Sequence, residues 1–291
     1  MQSYPTIRVA RGANLSNLDV KTVASFGDEW SRFDQSGMSD AEAEKVFDEY
    51  FLVFPWGVLS PDAVGFDMGC GSGRWARWVA PRVGLLHCID PSDAIQVAAA
   101  NLADLGNVVF HRGAVDASGL ATGSQDFGYS LGVLHHVPDT ASAIRSCVDL
   151  LKPRAPLLLY LYYAFDSRPW WFRALWRVSD WGRRLIHQLP PWLKPWVTDV
   201  IAAGVYWPLA RISRLLERFG LSVGSVPLSY YRHHSFYTMR TDARDRFGTP
   251  LEQRFTRVQI GAMMAAAGLV DVRFSDAAPF WCAVGFRDPA S

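Results

Sequence analysis

The chain has 291 residues, of which 49% are hydrophobic and 20% charged, with a formal net charge of +1. A disordered chain would be poorer in apolar residues and more charged, and a dedicated nucleic-acid binder would be far more basic, so composition sets both aside. The anomaly is twelve tryptophans.

The length suits one large α/β domain with an insertion, or two small domains. The first residues, MQSYPTIRVARGANLSN, are polar, without clear periodicity and without the continuous apolar stretch of a signal peptide. Ser39-Asp40-Ala41-Glu42 has the S-x-x-E form of a capping box and precedes an amphipathic stretch reaching about Phe54, which predicts a helix. Five strand-length apolar runs follow, at 63–69, 84–90, 107–112, 126–132 and 156–162, most of them separated by segments that can form helices. Such alternation predicts βαβ crossovers and a parallel sheet.

From Asp166 to Phe255 the alternation stops and the sequence is rich in Trp, Arg, Pro and Tyr, as an insertion would be. Within it the run Val200–Ala210 is apolar but too short to span a bilayer, and Pro208 is expected to kink it. Regularity returns at Thr256-Arg257-Val258-Gln259, a second capping box, with a helix ending at Gly268. Runs at 270–275 and 280–286 then read as a closing antiparallel hairpin. The expected organisation is an N-terminal helical segment over 1–60, a core over 61–165, a cap over 166–255, and the final helix and hairpin over 256–291.

The four cysteines, Cys70, Cys88, Cys147 and Cys282, are scattered and form no pattern with zinc-ligand spacing. They read as buried thiols in a reducing compartment, and with no apolar run long enough to span a membrane the chain is placed in the cytoplasm.

The most informative stretch is Asp67-Met68-Gly69-Cys70-Gly71-Ser72-Gly73 at the end of the first sheet strand, leading into a helix expected near Arg74. Glycines spaced G-x-G-x-G let the backbone turn tightly and bring its N–H groups close to a ligand. The spacing is not the G-x-G-x-x-G of an NAD loop, and the GK[ST] of a phosphate loop is absent. Asp90 ends the second strand, where a carboxylate can accept both hydroxyls of a ribose.

With these two elements in place, the sequence resembles the class I S-adenosylmethionine-dependent methyltransferases, in the group that acts on small molecules and lipids. The resemblance rests on Asp67–Gly73, on Ile89-Asp90-Pro91-Ser92, on the run from Asp126 through Leu134-His135-His136 to Asp139, and on Leu151-Lys152-Pro153. It implies a Rossmann-like seven-stranded sheet in the order 3-2-1-4-5-7-6, with a largely helical insertion after strand 5. It further implies that Gly69, Cys70 and Gly71 line the methionine part of S-adenosylmethionine, that Asp90 grips its ribose, and that Gly73 and Leu131 belong to the cofactor site. Where the family often carries an acid for the adenine amine, this chain reads Gly113-Ala114-Val115-Asp116, leaving Asp116 or the backbone of Ala114 and Val115 for that contact. Asp67, just inside the strand, is expected to organise the loop backbone through hydrogen bonds.

His135 and His136 follow the fourth strand at the carboxyl edge, where a histidine can take a proton from an acceptor or simply pack at the start of the next helix. Tyr160 and Tyr162 alternate with Leu161 and Tyr163, so one pair at best faces the site, and Tyr163 is a candidate for acceptor contact. The segment Phe26–Phe33 resembles one that folds over cofactor and acceptor in some relatives, with Trp30, Arg32 or Phe33 closing the pocket. Tyr231 and Arg246 belong to a basic, aromatic segment, 230–257, that could meet an anionic group, although Asp242, Asp245 and Glu252 make a local salt-bridge network an equal alternative.

Seven of the twelve tryptophans lie between Ser167 and Arg218, with nine Lys/Arg against three acids. Over 170–189, Arg173, Arg177, Asp180, Arg184 and Gln188 recur at helical spacing, leaving Trp171, Leu175, Val178 and Leu185 on the other side. Such a helix could lie on an anionic bilayer, form a lid over an apolar acceptor, or pack its apolar stripe onto the rest of the cap. The functional expectation is methyl transfer from S-adenosylmethionine to a small-molecule or lipid-like acceptor, oxygen first. A non-catalytic cofactor-binding protein is the alternative, and a nucleic-acid methyltransferase is disfavoured by balanced charge and by the lack of an N/D-P-P-Y/F motif after strand four.

Overall fold

A computed structural model describes residues 6–9, 17–32, 38–166, 168–190 and 192–290, with the side chains of residues 28, 29, 31 and 32 outside the description. In chain order the regular elements are β1 (Ile7–Val9), α1 (Val20–Arg32), α2 (Asp40–Tyr50), β2 (Val64–Met68), α3 (Ala76–Val79), β3 (Leu85–Asp90), α4 (Ala94–Asn101) and β4 (Val108–Arg112). They continue with β5 (Phe127–Leu131), α5 (Thr140–Leu150), β6 (Pro156–Tyr160), α6 (Trp170–Ile186), α7 (Lys194–Ile201), α8 (Trp207–Arg218), α9 (Phe236–Gly248), α10 (Arg257–Ala266), β7 (Leu269–Phe274) and β8 (Cys282–Arg287).

The strands form one sheet in the order β1-β4-β3-β2-β5-β6-β8-β7. Pairing is parallel except at β8, which runs antiparallel to both β6 and β7. Counted from β2, this is the Rossmann-like order 3-2-1-4-5-7-6. The seven expected strands are joined by an eighth, because β1 adds an edge strand beside β4, with Ile7 opposite Phe110. Three residues are too few to show a period of two, so this strand is invisible in the sequence and the N-terminal segment is not purely helical.

Side-chain alternation splits the core across the sheet. Leu158, Phe127 and Tyr129 join Phe47, Phe51 and Trp75 in one layer, while Leu157, Leu159, Phe66 and Met68 join Ile144, Ile260 and Met264 in the other. The second capping box forms as the sequence indicates: the Thr256 hydroxyl accepts from the Gln259 N–H, and the Gln259 side chain accepts from the Thr256 N–H. The first forms only in half. Ser39 Oγ accepts from the Glu42 N–H at 3.3 Å, but the Glu42 carboxylate accepts instead from the Ser235 N–H at 2.8 Å and from the Thr238 hydroxyl at 2.7 Å, at the start of α9.

The chain divides into two compact units: Met1–Gln35 with Ala43–Ala164 and Leu251–Ser291, and Ser36–Glu42 with Phe165–Pro250. This differs from the sequence-based boundaries at 36–42, which go with the cap, and at 251–255, which go with the core. Residue 255 is tied there by a bridge between Tyr163 and Phe255. In the cap, α7 and α8 are joined through a π-turn at Ala202–Tyr206 rather than broken. Pro208 sits in the first turn of α8 just after it, so the wider turn takes up the helix bond that proline cannot make.

Candidate functional site

The loop after β2 is shaped by its glycines. Gly69 has φ +81°, and a Cβ there would stand 2.4 Å from the Val133 side chain; Gly71 has φ +54°. No L-side chain adopts this path without strain, so the loop presents bare backbone. Both Gly69 and Cys70 donate their N–H to the carbonyl of Ile89 in β3, at 2.8 and 3.0 Å. The helix beyond begins at Ala76, two residues later than the sequence suggests, after a run of turns.

Asp90, at the end of β3, ties this loop down. Its Oδ2 accepts from the Gly71 N–H at 3.0 Å, and its Oδ1 accepts from the N–H and hydroxyl of Ser92 at 2.8 and 2.6 Å. Burial raises its pKa against the downward pull of those hydrogen bonds. Asp67 behaves differently from expectation. Both of its carboxyl oxygens are buried and neither accepts from a loop N–H, so it does not organise the loop backbone; Asp90 does. Burial pushes the Asp67 carboxyl up to about 8 against the downward pull of the Tyr129 hydroxyl, and the nearby Asp90 charge adds to the rise. The Cys70 thiol is buried and pushed upward for the same reason, an inert rather than a reactive cysteine.

Beside the loop, Met68, Pro91, Ala114, Val115, Val133 and His136 line an apolar cleft at the carboxyl ends of the strands. Leu131 is buried at the end of β5. Asp116 is drawn elsewhere: its Oδ2 accepts from the Asn17 N–H at 3.1 Å. Asn17 also clasps Asp139, donating to its carbonyl at 2.7 Å and accepting from its N–H at 2.8 Å. Asn17 escaped the sequence reading because its partners lie about a hundred residues away in an unpatterned polar stretch.

Helix α1 runs over the same edge. Trp30 stands against Gly71, its Nε1 3.1 Å from where a Cβ would be, and a Cβ at Gly27 would lie 3.7 Å from the Ser92 Cβ. Phe26 packs edge-on against His136, with ring centres 4.9 Å apart. The Arg32 side chain and Phe33 lie outside the described residues.

The two histidines part company. His136 lines the cleft, and its Nδ1 lies 2.6 Å from the Leu251 carbonyl. A carbonyl only accepts, so Nδ1 carries the proton and a neutral ring keeps its lone pair on Nε2. His135 is fully buried, stacks on Tyr162 at 3.9 Å, and has neither ring nitrogen hydrogen-bonded; burial first, then His136 and Arg254, holds it well below the usual histidine range. Tyr163 turns toward Phe280, at 5.8 Å, while Tyr162 takes the place beside the histidines.

In the second unit, Tyr231 donates to Asp242 at 2.7 Å, and Arg246 lies over the Trp176 ring and donates to Ser179 Oγ at 3.3 Å. Arg240 pairs with Asp199 through two bonds, and Arg232 with Glu217. The arginines of this region thus form the local network, and Tyr231 and Arg246 are engaged within it. Among the described residues no group of three His, Cys, Asp or Glu side chains could hold a metal ion.

A cofactor with a ribose and a positive centre suits these residues: the loop is a cradle that a Cβ would fill, Asp90 offers carboxylate lone pairs at its rim, and Asp67 is a fully buried acid beside the loop. Residues 66–159 match the family described as "Methyltransferase domain". The chain is 39% identical over 100 residues to a ubiquinone biosynthesis O-methyltransferase of Nitrosomonas europaea, covering 33% of this chain and 42% of that one. It is 26% identical over 198 residues to the enzyme of the same name from Sodalis glossinidius, covering 64% and 77%. The match thus spans about two fifths of the Nitrosomonas relative's length. A solved structure of a possible exported protein from Bordetella parapertussis shares the fold, at 15% identity, with a TM-score of 0.51 over 92% of this chain and 81% of that one. Sheet order, glycine loop and family match together mark residues 66–159 as a methyltransferase domain.

Proposed function

We propose that this chain transfers a methyl group from S-adenosylmethionine to a hydroxyl oxygen of a small or lipid-like acceptor. The observation that carries the reading is the left-handed glycine loop whose Gly71 N–H is held by Asp90, next to an apolar cleft. In this reading the backbone of Gly69–Gly73 receives the methionine part, Asp90 the ribose hydroxyls, and Ala114 and Val115 the flat face and edge of the adenine. Asp67, fully buried behind the loop, would offer a negative field to the positive charge when ionised.

Bound there, S-adenosylmethionine would supply an electrophilic methyl carbon on a sulfonium leaving group. The chain's own contribution is to orient the acceptor in line, to exclude water, and to receive one proton. In this reading His136 takes the last task; its Nδ1 contact with the Leu251 carbonyl supports a neutral ring with its lone pair on Nε2. During such a transfer the acceptor's hydroxyl proton would pass to Nε2 of His136. His135, buried and stacked on Tyr162, acts as packing.

The cleft as formed encloses about 50 Å³, well below the roughly 300–1,000 Å³ of small-molecule sites. Cofactor entry therefore requires α1, with Trp30 against Gly71, to move outward. A peripheral membrane position with 170–189 at the interface belongs to the same reading, and no described helix is long and apolar enough to cross a membrane. The names of the relatives support oxygen as the acceptor atom.

The test is formation of S-adenosylhomocysteine, followed by chromatography, when the chain is incubated with S-adenosylmethionine and a panel of hydroxylated aromatics with and without apolar tails. Product should form with the wild type, disappear with Asp90→Ala, and form with reduced kcat in His136→Gln. Cofactor binding without product from any acceptor would favour a non-catalytic binding protein.

A further inference from the structure

The cap is built with its large apolar side chains outside. Along α6 the inward positions are Phe172, Trp176, Ser179, Asp180 and Arg183, whereas Trp171, Leu175, Val178 and Leu185, expected as a packing stripe, are exposed, as are Trp170 and Trp181. Asp180, expected on the outer basic face, is buried, and its carboxylate accepts from Arg183 at 2.8 Å and Arg184 at 3.0 Å. Arg183 in turn donates to the carbonyls of Thr249 and Pro250. The continuous helical stretch α7–α8 repeats the inversion. It buries Ala202, Tyr206 and Ala210 against Met239 and Ala243 of α9. It leaves Trp196, Val200 and Trp207 exposed, and Trp192, just before it, is exposed as well. Trp170, Trp181, Trp192 and Trp196 are each 70–75% exposed.

Water-soluble surfaces seldom carry so many large apolar groups at helical spacing, and such a face marks an interaction surface. The charges say which kind. All three acids between 168 and 221 are engaged: Asp180 with Arg183 and Arg184, Asp199 with Arg240, and Glu217 with Arg232 and His233. Arg173, Arg177, Arg214 and Arg218 are exposed and, among the described residues, have no ion-pair partner. A second copy of this chain would bring like charge against like charge, whereas an anionic lipid surface meets both the arginines and the indoles, which settle at the boundary of headgroup and acyl chain.

We propose that the outer faces of α6 and α7–α8 form a docking surface for an anionic bilayer, with tryptophans in the interface and arginines on lipid phosphates. The inference extends the peripheral position proposed above from one helix to two and rests on that reading, but not on methyl transfer. Flotation of the full chain with phosphatidylcholine vesicles, with or without phosphatidylglycerol, tests it. The chain should float with the anionic vesicles and be partly released by high salt. Trp181→Ala with Trp196→Ala should weaken binding by about tenfold or more, and glutamine at Arg173, Arg177, Arg214 and Arg218 should abolish the preference for anionic lipid. These side chains are exposed, so circular dichroism, melting and S-adenosylmethionine binding should match the wild type, which separates failure of docking from failure of the cofactor reading. Absence of the wild type from anionic vesicles would overturn the proposal. So would equal binding by the tryptophan variant, or a dimer in sedimentation that the same variant dissolves while vesicles capture nothing.

Discussion

Replacing Asp67 by asparagine isolates the energetic consequence of placing a fully buried carboxyl group beside the glycine loop. The group's pKa is about 8 in the fold against 3.8 for the free side chain. Between these values the folded chain holds a proton that the unfolded chain releases, so the group's contribution to stability falls as pH rises from about 4 to about 8. Each pH unit in that window is worth about 1.4 kcal/mol, which makes the penalty about 4 kcal/mol at pH 7. Asparagine has nearly the same shape and does not titrate, so the difference in unfolding free energy, variant minus wild type, should widen by about 4 kcal/mol between pH 5 and pH 8. Any cost of seating the amide is a constant offset. Urea titrations of the two proteins at several pH values without cofactor measure this directly. A difference that stays constant within about 1 kcal/mol across the range would refute the reasoning. In the proposed complex the positive charge of the cofactor favours the ionised acid, so the same variant, though more stable, should bind S-adenosylmethionine less tightly, a trade between stability and function.

Gly69→Ala puts a Cβ 2.4 Å from the Val133 side chain at φ +81°, which should cost about 2 kcal/mol or more of stability and remove cofactor binding; thermal melts and calorimetry would show it. His111, hydrogen-bonded to His87 at 2.9 Å, is lowered to about 4 by burial and by His87. The unfolded chain therefore takes up the proton first, and stability should drop by about 2–3 kcal/mol as pH falls from about 6.5 to 4. His111→Gln should flatten that limb, and an unchanged acid profile would count against it. Glu42→Ala removes the acceptor for the Ser235 N–H and the Thr238 hydroxyl and should lower stability by about 1–2 kcal/mol in urea. Trp30→Ala uncovers Gly71 and should speed S-adenosylmethionine association in stopped flow; an unchanged rate would argue that α1 does not limit entry.

Much of the core was legible because its information is local. A strand, a tight glycine turn and an acid at the next strand end follow one another within about 25 residues, and each demands particular residue types at fixed spacing. What the sequence hid depends on partners far along the chain. The Glu42 carboxylate fits the local capping pattern yet caps a helix almost two hundred residues away. Asn17 and Asp116 meet only in the folded chain. For α6 the helical period identified two faces, but periodicity does not say which face turns inward. The ion pair of Asp180 with Arg183 and its link to Thr249 supply the inner contact, which a rule placing apolar side chains inside assigns to the wrong side.

The tryptophan excess accordingly divides by position. Trp75 packs in the core layer under the sheet, and Trp30 rests on the loop, whereas six of the cap's seven face outward. The same residue type thus serves packing in one unit and an exposed surface in the other.

Calorimetric titration of S-adenosylmethionine into the wild type and into Asp90→Ala tests the central claim most directly. The site described here predicts one cofactor bound per chain by the wild type and none detectable by the variant. No binding to the wild type, or equal binding to both, would contradict it.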